Sequence, residues 1–166
     1  MIGNSGSGRP RTRHRNRRVT ATVLLALGLL LLSTPSTAEA APPKIVLNAN
    51  QTAAKNALNR DRKAYKLSLL VSRLDAQLKA QAWANQLARD GYLHHSKLTD
   101  GITGRWCSLA ENVGKSTYGI ADVEARFMQS PIHRKNILTA RFNSVGIGYA
   151  TGGGNVYVVQ VFVRTC

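Results

Sequence analysis

Acidic residues are scarce in this 166-residue chain: 8 Asp and Glu stand against 23 Lys and Arg, a formal charge of +15. That balance rules out an acidic tail and favours anionic partners, such as cell-envelope polymers or lipid headgroups, held by salt-sensitive attraction. Aromatics make up only 6% and do not interleave with the basic residues, so no nucleic-acid partner is expected. Cysteine is limited to two residues with no Cys-x-x-Cys, and there is no His-Glu-x-x-His, so the diagnostic zinc spacings are missing. No glycine-framed serine turn is present, which argues against a serine hydrolase. Nor does any apolar run reach the roughly 20 residues that a membrane-spanning helix needs.

What the N-terminus does contain is an export signal. Arg9, Arg11, Arg13, Arg15, Arg17 and Arg18 precede an almost wholly apolar Val19–Leu32. Ala38-Glu39-Ala40 then offers small residues where a signal peptidase reads them. Residues 1–40 are read as a signal peptide cleaved after Ala40, giving a secreted protein; an uncleaved membrane anchor is the alternative. Arg17-Arg18 also hints at the twin-arginine route. Residues 41–49, with Pro42-Pro43, form an extended lead-in, and residues 50–166 are long enough for one domain with its own core. A monomer is expected. From residue 41 onward 17 Lys and Arg face 7 Asp and Glu, a net +10. Cys107 and Cys166 both lie in this exported part, and an even count in an oxidising compartment favours a disulfide between them. Such a link would stabilise the fold by about 4 kcal/mol through unfolded-chain entropy.

The apolar periodicity predicts three helices. One runs from Asn50, a candidate cap, to about Tyr65; a second from about Asp75 to Arg89, capped by Ser72 and ended by Gly91; a third covers Ile120–Ser130. Leu74, Leu78, Ala82, Trp83, Leu87 and Ala88 suggest a broad apolar face on the second. On the third, Ile120, Val123 and Phe127 point inward with Ser130 continuing that face, and Pro131 is read as its stop. Tyr92–Ser108 reads as irregular. Val145, Ile147 and Tyr149 alternate with Gly146 and Gly148, so a strand is expected there with something packed closely on its glycine face. Val156–Val163 is apolar at nearly every position, as in a strand covered on both sides, and Thr151–Asn155 is the hairpin loop between them. Helices followed by strands, with one doubly buried strand, point to an α+β fold: a three-layer α-β-α sandwich around a mainly antiparallel sheet.

Three separated side chains carry the chemistry. Of His94 and His95, neighbours on an extended segment, only one can face a given cleft, and His95 is the choice. Glu111 sits among Leu109, Ala110 and Val113, where a carboxylate needs partners; it serves either chemistry or nearby backbone N–H groups. Asn112 ties loops together in the same way. His133 follows Pro131, either as a ligand group or as a cap on the turn Arg134–Leu138, and Arg134 reads as a brace to a carboxylate or carbonyls. Two neutral imidazoles and a carboxylate would suit a zinc ion held by His95, His133 and Glu111 with one position open. Without a metal, the same groups give a cleft titrating near neutral pH and suited to a polar ligand.

Ala82-Trp83-Ala84, Gly91-Tyr92-Leu93-His94-His95-Ser96, Ala110-Glu111-Asn112-Val113, Phe127 through Leu138 and Val145-Gly146-Ile147-Gly148-Tyr149 resemble the bacterial branch of the CAP superfamily. This is the SCP domain of cysteine-rich secretory, venom allergen and pathogenesis-related proteins, and the likeness extends from about Asn50 to Phe162. It implies an α-β-α sandwich with a cleft lined by two histidines and two glutamates. His95, Glu111 and His133 match three of these, whereas the second glutamate falls on Ser130, and Glu124 lies one and a half turns earlier. The resemblance brings zinc, lipid or sterol binding and occasional proteolysis, but no single activity. Three readings follow. The first is a secreted module taking a lipid, glycan or peptide at His95, Glu111, His133, Ser130 and Asn112. The second is a zinc-dependent extracellular hydrolase with Glu111 as base or third ligand. In the third, a basic surface binds anionic envelope polymers. The sequence leaves open whether the protein is an enzyme.

Overall fold

The computed structural model describes residues 45–166; the signal-peptide reading, its cleavage point and the first four residues of the lead-in lie outside the described residues. Among the described residues four helices and four strands follow one another: α1 (Ala49–Ala64), β1 (Val71–Ser72), α2 (Leu74–Asp90), β2 (Ser108–Ser116), α3 (Ile120–Gln129), α4 (Pro131–Leu138), β3 (Ser144–Gly152) and β4 (Asn155–Arg164). The strands form one sheet in the order β1-β3-β4-β2, parallel only between β1 and β3. The fold is therefore the expected α+β class with a mainly antiparallel sheet. Among the described residues no helix is long and apolar enough to cross a membrane.

Side-chain alternation along the strands divides the core in two. Val145, Ile147, Val158 and Phe162 face α1, α3 and α4, meeting Leu58, Val123, Phe127 and Ile137. Val159, Val161 and Val163 face α2. The glycine alternation on β3 marks the closest contact: a Cβ at Gly146 would lie 2.0 Å from the Ala76 carbonyl, and one at Gly148 1.9 Å from that of Ala80. This close approach explains why α2 buries the small Ala76, Ala80 and Ala84; of the stripe expected from the sequence, Leu87 is fully buried and Trp83 and Ala88 pack against the core. Leu78 points outward, 63% exposed.

Several boundaries differ for local reasons. Asn48, not Asn50, caps α1 and forms a reciprocal capping box with Gln51. Arg73, not Ser72, precedes α2, and its guanidinium grips Asp75 with both nitrogens. Asp75 also accepts from the Thr103 N–H, and Arg73 donates to the Thr103 and Arg105 carbonyls, so the irregular segment is pinned to the start of α2. Pro131 does end α3, but it opens α4 in the same step, because a proline at the first helical position lacks only an N–H that would be unpaired anyway. The expected Cys107–Cys166 disulfide is formed, with its Cα atoms 5.1 Å apart, and it fastens the end of the chain beside the start of β2.

Candidate functional site

The site lies beside β2. Glu111 is almost fully buried, and both its oxygens are occupied: Oε1 accepts from His95 Nδ1 at 2.8 Å and from the Ser96 N–H at 2.9 Å, and Oε2 accepts from Ser96 Oγ at 2.7 Å. Three bonds to the charged form satisfy the carboxylate without a cation. Against a carboxylate acceptor His95 Nδ1 is the donor, and its Nε2 has no hydrogen-bond partner among the described residues. The imidazole itself is 60% exposed, while the carboxylate that aims it is 3% exposed. His94 turns the other way, as strand-like alternation requires: its Nε2 pairs with Asp90 at 2.9 Å and its ring packs against Trp83 and Tyr92.

His133 reaches the same region from the first turn of α4. Its ring lies 5.0 Å from that of Phe127. Burial lowers its pKa first, and the nearby charge of His95 lowers it further, so the two imidazoles sense one another and His133 is neutral at pH 7. The backbone of His133 is held by Asn112, which is fully buried on β2. Asn112 Nδ2 donates to the His133 carbonyl at 3.2 Å and to Gln160 Oε1 at 3.0 Å, while its Oδ1 accepts from Asn136 at 2.9 Å. Asn112 does tie elements together, across the sheet and to α4.

The network continues to a residue that sequence reasoning placed near the site without a role. Gln160 Nε2 donates to Glu124 Oε2 at 2.6 Å. Glu124 does not line the cleft; it is 3% exposed on the inner face of α3, and once protonated it can share a hydrogen bond with the neighbouring Asp61 carboxylate. Burial, then the neighbouring Asp61 carboxylate, pushes its pKa up to about 8, against the opposing pull of Gln160 and Arg60. A neutral carboxyl therefore sits at the inner end of the relay from His133. Arg62 was missed altogether. It is fully buried at the end of α1 and donates to the carbonyls of Ser68, Ile137, Thr139 and Phe142, fixing the exit of α4. Its position four residues after Leu58, itself four after Ala54, was the available signal. Arg134 braces neither a carboxylate nor carbonyls: it is exposed and donates to the Tyr65 hydroxyl at 2.7 Å.

Two cavities flank the imidazoles. The smaller, about 230 Å³, is lined by His95, Ser96, Glu111 and Asn136 among others. The larger, about 470 Å³, has an apolar wall that includes Val113, Val123 and Phe127, and its polar lining includes Lys115, Gln129 and His133 together with Arg126 and Ser130. Ser130 thus belongs to the cleft wall as the hinge between α3 and α4, half-buried as the extended inward face of α3 suggested. As for a metal, His95 Nε2 and the His133 ring could supply two ligands, with Glu111 in the orienting position behind a ligating imidazole. Glu111 is committed to His95 and Ser96, and among the described residues no group of three or more His, Cys, Asp or Glu is placed to hold an ion. The three-ligand set expected from the sequence is not assembled.

Solved structures similar to this chain share the fold. An extracellular SCP-domain protein of Bacillus anthracis has TM-score 0.61 at 20% identity, over 75% of this chain and 45% of that one. An outer surface protein of Borrelia burgdorferi has TM-score 0.62 at 16% identity, over 75% of this chain and 98% of that one. A cysteine-rich secretory protein of Staphylococcus aureus has TM-score 0.56 at 20% identity, over 75% of this chain and 42% of that one. This chain thus spans under half the length of the Bacillus and Staphylococcus chains. No curated protein matches the sequence. The family model for cysteine-rich secretory proteins, CAP, matches residues 55–162, nearly all of the described domain. On that match the chain belongs to the CAP, or SCP-domain, family.

Proposed function

We propose that this chain is a secreted ligand-binding module whose cleft, built on His95, Glu111 and His133, takes a lipid, glycan or peptide. The arginine-rich start, the alanine cleavage site and the disulfide support export. The observation that carries the reading is the commitment of Glu111: a buried carboxylate with three donors holds His95 in place, and Asn112 holds His133 from behind. Such preorganisation reduces the ordering cost of binding. Among the described residues lining the two cavities it also leaves no uncommitted carboxylate. The test is extraction and mass analysis of ligand from natively secreted protein, compared with His95→Ala and His133→Ala. Both variants should fold and carry less ligand; retention of the full load by both would refute the proposal.

A zinc-dependent hydrolase is the second reading, favoured by the carboxylate–histidine pair at 2.8 Å. Zinc would supply Lewis acidity, and this chain would contribute the two imidazoles and the orienting carboxylate. Metal analysis returning about one ion per chain, with turnover lost on chelation, would establish it; no metal and no chelator effect would remove it. The third reading, adhesion of the basic surface to anionic envelope polymers, requires binding that vanishes at high salt and ignores the histidines.

A further inference from the structure

The two outer edges of the sheet are treated differently. On β3, Ile147 and Tyr149 give both main-chain groups to glutamine side chains of α2. Gln77 donates to the Ile147 carbonyl at 2.6 Å and accepts from its N–H at 2.9 Å, and Gln81 does the same for Tyr149 at 2.8 and 3.1 Å. These residues therefore face away from β4, and antiparallel alternation turns Gly146 and Gly148 toward Val161 and Val159. β4 in turn directs Val158 and Gln160 to Gly114 and Asn112 on β2. The main chains of Glu111, Val113 and Lys115 are left facing away from β4, because β2 ends the sheet; Glu111 and Val113 are each 7% exposed and Lys115 is half-buried. The Glu111 carbonyl takes a 3.4 Å bond from Asn136 Nδ2. The N–H and C=O of Val113 have no hydrogen-bond partner among the described residues.

An open strand edge is a template for another strand, and proteins ordinarily cover it. Here the glutamine clamps and β1 close one edge, while the other runs along the cleft. Both cavities lie on that edge, the smaller at Ala110 and Glu111 and the larger at Val113 and Lys115. Their spacing of two to four residues, about 7–13 Å, matches successive same-side residues of an extended chain. Charge selects the occupant. Lys115 Nζ donates to the Gly91 carbonyl at 2.8 Å, yet no carboxylate pairs with it among the described residues. Arg126 lines the same cavity but is already paired with Asp122 at 2.6 Å, which leaves Lys115 as the charge for an incoming carboxylate.

Resting on the reading of this cleft as a binding site, we infer that the open edge of β2 pairs with an extended peptide by strand addition, with a peptide carboxylate placed at Lys115. Main-chain bonds supply the affinity and the cavities select side chains, as in other strand-addition sites. The carboxylate comes from an acidic side chain or from a free C-terminus.

The test is fluorescence anisotropy of the disulfide-intact domain with a labelled, C-terminally amidated hexapeptide of alternating threonine and valine closed by aspartate. A second arm replaces the aspartate by asparagine and frees the C-terminus, which separates the two sources of the carboxylate. A third carries N-methyl groups on alternate amides, abolishing strand pairing without changing charge. Saturable binding is expected, weakened at least tenfold by N-methylation and several-fold by Lys115→Met. No binding up to millimolar protein, or binding indifferent to N-methylation, overturns strand addition. If the peptide fails while natively secreted protein carries a ligand that depends on His95 and His133, only strand addition is lost. If both fail, the binding-module reading falls too.

Discussion

Replacing Glu124 by glutamine should stabilise the domain at neutral pH and do far less in acid. The carboxyl titrates at its ordinary 4.5 in the unfolded chain and at about 8 in the fold. Between these values the folded state retains a proton that the unfolded chain has released. Stability therefore falls as pH rises, by about 1.4 kcal/mol per pH unit, and levels off above about 8. Between pH 5 and pH 7.5 this one group removes about 3 kcal/mol from the wild type. Glutamine keeps the shape and an oxygen for Gln160 to donate to, and it does not titrate. The gap between variant and wild type should thus widen by about 3 kcal/mol over that interval, or about 10 °C in melting temperature for a domain of this size. Urea and thermal denaturation of both proteins at the two pH values would measure it. Groups not coupled to Glu124 titrate alike in both, so parallel pH profiles would refute the account of Glu124.

The remaining predictions concern packing and the disulfide. Gly148→Ala puts a methyl 1.9 Å from the Ala80 carbonyl and should abolish soluble expression or cost upwards of about 4 kcal/mol. Arg62→Met leaves four main-chain carbonyls without their shared donor and should cost about 3 kcal/mol by chemical denaturation, with α4 loosened first in hydrogen exchange. Reducing the Cys107–Cys166 bond, which closes a separation of 59 residues, should lower unfolding stability by about 4 kcal/mol in urea.

The parts of the fold set by local chemistry were legible in the sequence. Gly91 ends α2 in the left-handed conformation, φ 78°, as its place after an amphipathic run implied. The alternating glycines of β3 announced the α2 contact, and the apolar run of β4 announced its burial between two layers. β2 is not legible as a strand, for a physical reason: its buried positions include Glu111, Asn112 and Ser116, so the polar network that builds the site erases the hydrophobic alternation that would reveal the strand. α4 was hidden because proline both ends and begins helices. His95, Glu111 and His133 were singled out from residue type and context, but the ordering among them was not. The structure makes Glu111 the holder of His95, and it buries Glu124 and Arg62 through contacts between residues far apart in the chain. For Arg62 the spacing after Ala54 and Leu58 was the one hint of burial, and for Glu124 the neighbours in sequence offered none.

Convergence of the two imidazoles is tested most directly by NMR titration of the histidine ring protons, in wild type and in His95→Ala. Burial and the charge of His95 both hold the His133 midpoint below that of an ordinary imidazole, so removing His95 should raise it part of the way back. A His133 midpoint that starts at the ordinary value, or that does not move when His95 is removed, would contradict the shared cleft.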